Sequence, residues 1–202
     1  MIKKLFLFCI LFFPIISVFA NDNSYQIDLI VFTQINDAAM NSENWPNTLK
    51  QPYLKNAIAP EFDQNLGLQK EADKLKQQEN YKIILHTSWQ QNITSLRQAK
   101  WIHIYGGQPY DAQGQVIQPD DNRLPTYWKL NGKIKISKSN FFDIYTNLYL
   151  TIPTASRDNI ISLRTFILQQ HRRTKLNQLN YLDHPLFGVL IKISKNTSQQ
   201  AN

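Results

Sequence analysis

Two neighbouring segments carry the residues best suited to chemistry. In the first, Lys129, Asn131, Lys133 and Lys135 alternate with Trp128, Leu130, Ile134 and Ile136. In the second, Asp143, Tyr145, Asn147, Tyr149 and Thr151 alternate with Phe142, Ile144, Leu148, Leu150 and Ile152. If both are strands and pair, their apolar faces turn to a core, and Lys133 and Lys135 come to lie beside Tyr145 and Tyr149 on one outward face. Cations, amides and phenol rings on a flat surface suit a glycan that bears carboxylates. Rings stack on sugar C–H faces, amides bond hydroxyls, and ammonium groups pair with carboxylates. The same residues also describe an ordinary solvated strand face whose lysines discourage edge pairing. The sequence leaves both readings open.

Other candidates are weaker. Arg172-Arg173 could hold an acidic group through its guanidinium forks, or pair structurally with Asp183 or another carboxylate. The four histidines, His86, His103, His171 and His184, are scattered and form no metal-ligand spacing, so no metal site is expected. Asp183-His184 is not a relay pair, because adjacent residues of an extended chain point to opposite sides and Pro185 keeps His184 extended. No nucleophile elbow, phosphate loop or Ser-x-x-Lys motif occurs, and nothing points to a cofactor. A glycan hydrolase would need paired carboxylates, for which Asp111 with Asp120 or Asp121 could be offered.

The elements that must position these groups are mostly strands. Tyr25–Phe32 is apolar on both faces, as in a central strand, and Tyr81–Trp89 alternates with Tyr81, Ile83, Leu85, Thr87 and Trp89 on one face. Trp101–Tyr105 is a short strand ended by Gly106-Gly107. Trp128–Ser137 and Phe142–Ile152 form a hairpin, and Ile160–Gln170 and Leu186–Ile193 are further strands. Leu66–Gln78 fits one helix, with Leu68, Ala72 and Leu75 on a stripe. Thr33 to about Gln64 is an irregular, Pro- and Asn-rich excursion that Trp45-Pro46 and Tyr53-Leu54 would pin down. Gln108–Leu124 is a loop, and Lys175–Leu182 is a polar turn. The pattern argues an α+β fold: a mostly antiparallel sheet, at least one packed helix, and a single domain over residues 21–195 with a loose tail at 196–202.

Residues 1–20 read as a cleavable export signal. Lys3 and Lys4 precede an apolar run from Leu5 to about Val18, and Val18-Phe19-Ala20 places small residues at the cleavage site. The run falls short of the ~18–20 residues of a membrane anchor. The only cysteine, Cys9, lies in this segment, so the mature chain would have neither disulfides nor thiolate chemistry. Removing the two leader lysines takes the formal charge from +7 to +5. Outside the cytoplasm that charge favours acidic polymers or acidic protein surfaces rather than nucleic acid, and it also serves plain solubility.

The run Tyr181-Leu182-Asp183-His184-Pro185-Leu186-Phe187-Gly188-Val189-Leu190 resembles the closing signature of the CsiV family of exported peptidoglycan-binding proteins. Tyr25–Phe32, Ile84-Leu85-His86-Thr87-Ser88-Trp89-Gln90-Gln91, Leu130-Asn131-Gly132-Lys133-Ile134 and Arg172-Arg173 are similar to further pieces of that family, in the same order. The Phe142-Asp143-Ile144-Tyr145 stretch departs from its usual basic or His-rich version. The resemblance implies a periplasmic, non-catalytic protein that binds peptidoglycan and supports cell-wall synthesis, with the lipoprotein activator of a class A penicillin-binding protein as a partner. An enzyme acting on peptidoglycan glycan or stem peptide is the alternative. Within the signature, Pro185 would stiffen the approach to the last strand and Gly188 would admit a neighbouring backbone or ring. Tyr181, Asp183, His184, Pro185, Phe187 and Gly188 are thus expected to lock the fold, with a ligand site there as the competing reading.

Overall fold

A computed structural model describes residues 24–34, 48–118, 120–155 and 161–196. The export segment, Trp45-Pro46 and residues 197–202 of the tail lie outside these. Strand β1 (Ser24–Gln34) has two apolar faces and is accordingly interior to a four-stranded antiparallel sheet, sheet A. Its neighbours are β3 (Tyr81–Asn92) and β9 (Phe187–Lys195), and β8 (Leu179–His184) closes the far edge beyond β9. Sheet B runs in the order β2 (Ala57–Ile58), β4 (Trp101–Tyr110), β5 (Tyr127–Lys138), β6 (Phe142–Ala155) and β7 (Ile161–Thr174). All its pairings are antiparallel except the short parallel contact of β2 with β4.

The inner faces of the two sheets share one core. Ile27, Leu29, Val31, Trp89, Val189 and Ile191 from sheet A meet Ile104, Leu130, Ile134, Ile144, Leu148 and Phe166 from sheet B. A second, smaller cluster lies on the outer face of sheet A. There Ile30 and Phe32 pack under Leu68, Ala72 and Leu75 of the helix α1 (Gln69–Lys76) and its approach. The mostly antiparallel strands of the α+β reading are present, but they divide between two sheets rather than forming one. The helical part of that reading, among the described residues, amounts to this one eight-residue helix.

The structure corrects four element readings. Tyr81–Trp89 does not keep one face. A β-bulge at Ile84, where Val31 pairs with Leu85 but Phe32 pairs with Ile83, turns Tyr81 and Ile83 toward the helix cluster and Leu85 and Trp89 toward the inter-sheet core. Gly106-Gly107 does not end β4. Gly107 takes φ +74°, and the strand passes through a second bulge before Pro109 and continues to Tyr110. The polar segment before the signature contains β8, whose Leu182 is buried. Trp128, grouped with the core by alternation, is half-buried with its ring 5.3 Å from that of Tyr105.

Candidate functional site

The outer face of sheet B is organised by register into cross-strand rows. Trp101, Lys135, Tyr145 and His171 stand directly opposite one another on β4, β5, β6 and β7. The next row is His103, Lys133, Asn147 and Gln169, and the third is Tyr105, Asn131, Tyr149 and Ile167. Alternation forces this arrangement on the central strands, where Ile134, Ile136, Ile144, Leu148 and Leu150 between and beside these residues are committed to the core.

In the first row the Lys135 ammonium lies 4.8 Å from the Trp101 ring centroid and 5.1 Å from that of Tyr145. The Tyr145 ring stacks on His171, with centroids 4.4 Å apart and planes within 5°. His171 Nε2 in turn lies 2.8 Å from Asp143 Oδ1, which also accepts from Arg173 Nε at 3.2 Å. Burial pushes the Asp143 carboxyl up, but the hydrogen bonds from His171 and Arg173 outweigh it and hold the group below the ordinary carboxylate range. Between the first two rows lies an open cleft of about 530 Å³, lined by Trp101, Lys133, Tyr145, Asn147, Gln169 and His171. Cation, ring and amide therefore converge on one concavity.

The predicted residues divide. Lys135 and Tyr145 stand together in the first row. Lys133 is on the same face, but only 9% of it is exposed. Its Nζ donates to the Tyr53 carbonyl at 2.6 Å and sits over the Tyr53 and Trp101 rings at 5.6 and 4.9 Å. It pins the irregular excursion to the sheet, which is how Tyr53 anchors that segment. Tyr149 is half-buried one row beyond Asn147, outside the cleft lining. Arg172 and Arg173 do not form one site. Arg173 joins Asp143 on the outer face, whereas Arg172 Nη2 reaches the Tyr181 carbonyl of β8 at 3.5 Å. Gln170 Nε2 makes a firmer contact of the same kind, 2.8 Å from the Asp183 carbonyl. Trp101, His171 and Gln169 were not singled out from the sequence, since only the register brings β4 and β7 to the hairpin.

The signature residues lie on the other sheet. Gly188 stands between the stacked rings of Phe32 and Tyr181, whose centroids are 6.2 Å apart. A Cβ at this position would come within 2.5 Å of Phe32 Cζ and 2.7 Å of Tyr181 Cε2. Phe187 is fully buried. Pro185 and Leu186 form the tight turn from β8 to β9, where His184 Nδ1 accepts from the Leu186 amide at 3.2 Å and the Leu186 carbonyl accepts from Gln34 N at 3.0 Å. The Tyr181 hydroxyl donates to Asp183 Oδ1 at 2.5 Å and accepts from Gln34 at 2.9 Å. Burial, reinforced by the Asp183 carboxylate, pushes this phenol well above its ordinary value. Asp183 and His184 thus serve different partners.

Of the acids offered for hydrolysis, Asp111 and Asp121 share the guanidinium of Arg123, and Asp111 also caps the Gln113 and Gln115 amides. Among the described residues no group of three or more His, Cys, Asp or Glu is placed to hold a metal ion, and no helix is long and apolar enough to cross a membrane.

Residues 55–196 match the family model of the peptidoglycan-binding protein CsiV, while no curated relative and no solved structure matches the chain. The matched span takes in every strand of sheet B, together with β3, the hairpin β8–β9 and the signature within it. With most of its length inside that model, the chain belongs to the CsiV family of peptidoglycan-binding proteins.

Proposed function

We propose that this protein binds peptidoglycan through the outer face of sheet B and acts there as a non-catalytic factor in the periplasm. The observation that carries this reading is the first row, where an ammonium held between two aromatic rings borders an amide-lined cleft. Lys135 takes a carboxylate of the wall polymer, and no described carboxylate lies within 4 Å of it. Trp101 and Tyr145 offer ring surface to sugar C–H groups. Asn147 and Gln169 exchange hydrogen bonds with hydroxyl or acetamido groups. The non-catalytic part of the reading is favoured by the state of the nearby acid. Asp143 is engaged by His171 and Arg173, and hydrolysis of a glycan calls for two disposable carboxyl groups. The family resemblance supports support of cell-wall synthesis through the lipoprotein activator of a class A penicillin-binding protein. Co-purification of that activator with a tagged chain is the check on the partnership.

The binding surface is tested by sacculus pull-down across salt concentrations with the chain lacking residues 1–20. Lys135→Ala lowers binding mainly at low salt, because an exposed ion pair is screened at high salt. Tyr145→Ala lowers it at every salt concentration, because ring stacking is not. Two folded variants that bind sacculi like the parent overturn the assignment of this face.

A further inference from the structure

The outer face of sheet A divides at the middle of β1. Its Ile30 and Phe32 half lies beneath α1 and is apolar. The other half holds Asp28, which is only 5% exposed although no described cation pairs with it. Asp28 Oδ1 accepts from Ser88 Oγ at 2.8 Å and from Gln26 Nε2 at 3.3 Å, while Oδ2 receives no donor from any described residue. The backbone of Gly67 lies against this carboxylate so closely that a Cβ there would fall 2.2 Å from Asp28 Cγ. The Gly67 amide donates to Ser88 Oγ at 3.0 Å, and its carbonyl accepts from His86 Nε2 at 2.6 Å, so the loop is fixed over the acid.

Beside it opens a cleft of about 450 Å³ lined by Gln26, Asp28, Asp63, Gln64, Asn65 and Gln90, among others. Asp63 hangs on the same serine, its amide donating to the Ser88 carbonyl at 2.8 Å, and its own Oδ2 is buried with no hydrogen-bond partner. Two cationic residues lie near. Lys195 contributes to the lining, but its Nζ stands 6.0 Å from the centroid of the Tyr25 ring, a residue of the inward-facing set of β1. Lys192, opposite Asp28 on β9, lines a separate cleft with Leu66 and Leu179. A buried carboxylate with a free oxygen, a second under-bonded carboxylate and five side-chain amides, Asn196 included, thus face one opening. Two acids without a third protein ligand fall short of a cage for a divalent cation.

We propose that this cleft binds a primary ammonium group carried on an amide-bearing or hydroxyl-bearing ligand. The ammonium donates to Asp28 Oδ2 and lies within the field of Asp63, while the glutamine and asparagine side chains meet the polar groups around it. This site is separate from the carbohydrate reading of sheet B and does not rest on it. The ammonium could belong to a free polyamine or to the diamino acid of a wall stem peptide.

The test is a titration of isotope-labelled protein followed by amide chemical shifts, with three probes: cadaverine, Nα-acetyl-lysine N-methylamide, and the same amide acetylated at Nε. The two amines shift the Gln26, Asp28, Gly67 and Gln90 amides saturably, and less so as salt rises. The neutral Nε-acetyl compound does not. Tighter binding of the amide-flanked amine points to a peptide source, and tighter binding of cadaverine points to a polyamine. Asp28→Asn keeps the acceptor for Ser88 and weakens amine binding by about tenfold or more. Asp63→Asn, outside the strands, gives a smaller loss with the fold unchanged. Equal shifts from the Nε-acetyl control, no saturable shift with either amine, or undiminished affinity in both folded variants overturns the proposal. The Lys135 and Tyr145 variants in the sacculus pull-down read sheet B, and this titration reads sheet A, so either can fail alone.

Discussion

Lys133 and Lys135 are two residues apart on β5 and face the same way, yet their surroundings give them different roles. Lys133 has its ammonium on a backbone carbonyl and between two rings, and is nearly out of contact with water. Lys135 is half-buried beside the cleft, over the Trp101 and Tyr145 rings that line it. Removing Lys133 deletes a charge-assisted hydrogen bond, two cation–π contacts and the packing of its stem, so Lys133→Ala lowers stability by about 1–2 kcal/mol. Lys135→Ala costs less than about 0.5 kcal/mol, as for a surface substitution. Denaturant midpoints of the two single variants check this, and equal losses would mean that Tyr53 is held by something other than Lys133. Gly188 is the other decisive single residue. A branched side chain there collides with the Phe32 and Tyr181 rings, and neither can retreat without opening the helix cluster or the Gln34–Tyr181–Asp183 bonds. Gly188→Val lowers stability by about 2 kcal/mol or more, measurable as a lower Tm. Sacculus binding by the folded fraction is retained, because Gly188 and the two rings it separates belong to sheet A and none of them lines the cleft of sheet B. A stable Gly188→Val chain that has lost binding would place the ligand at the signature.

At the scale of elements, the bulge in β3 shows what alternation reveals and what it hides. The run from Tyr81 to Trp89 announces a strand, and it is one. Which face each residue serves was not legible, because a single extra residue at Ile84 reverses the pattern and the reason for it lies in β1, where Phe32 must meet both Tyr81 and Gly188. Deleting Ile84 would restore a continuous register with Leu85 still opposite Val31 and Ile83 still opposite Phe32, so both faces are kept and the cost is the lost packing of the Ile84 side chain, about 1–2 kcal/mol. A deletion variant whose Tm falls far below that of Ile84→Ala would show that the bulge itself is needed. The hairpin of β5 and β6 was legible for the opposite reason: its two members are close in sequence, strongly alternating and joined by a short connection. The candidate cleft was legible only in its central half. Lys135 and Tyr145 sit on that hairpin, but Trp101 and His171 come from strands on either side, and a pairing partner leaves no local mark in composition. Burial of Lys133 was hidden likewise, since the covering Tyr53 lies 80 positions away. β8 escaped because Asn180 and Asp183 make it polar, although Leu182 is in the core and Asn180 is buried on Thr174.

For the whole molecule, the two sheets turn unlike surfaces outward: rings and lysines on sheet B, and carboxylates with amides on the uncovered half of sheet A. Under the proposed function both would act only after delivery to the compartment where the wall is built. The chain is therefore expected to lose residues 1–20 on export, and intact-mass measurement of the periplasmic fraction should give a product beginning at Asn21. A membrane-bound product retaining the Met1 peptide would defeat that expectation. The order of the strands bears on the delivery itself. β1 lies between β3 and β9, and its register with β9 joins Tyr25 to Lys195. Among the described residues, the first strand to be made is thus finished only by the last. A chain threaded N-terminus first cannot complete sheet A until its final strand emerges, and such distant pairing makes folding slow. On the expected export route, the same topology that seals the core at the end would keep the chain pliable while it is passed through a narrow channel.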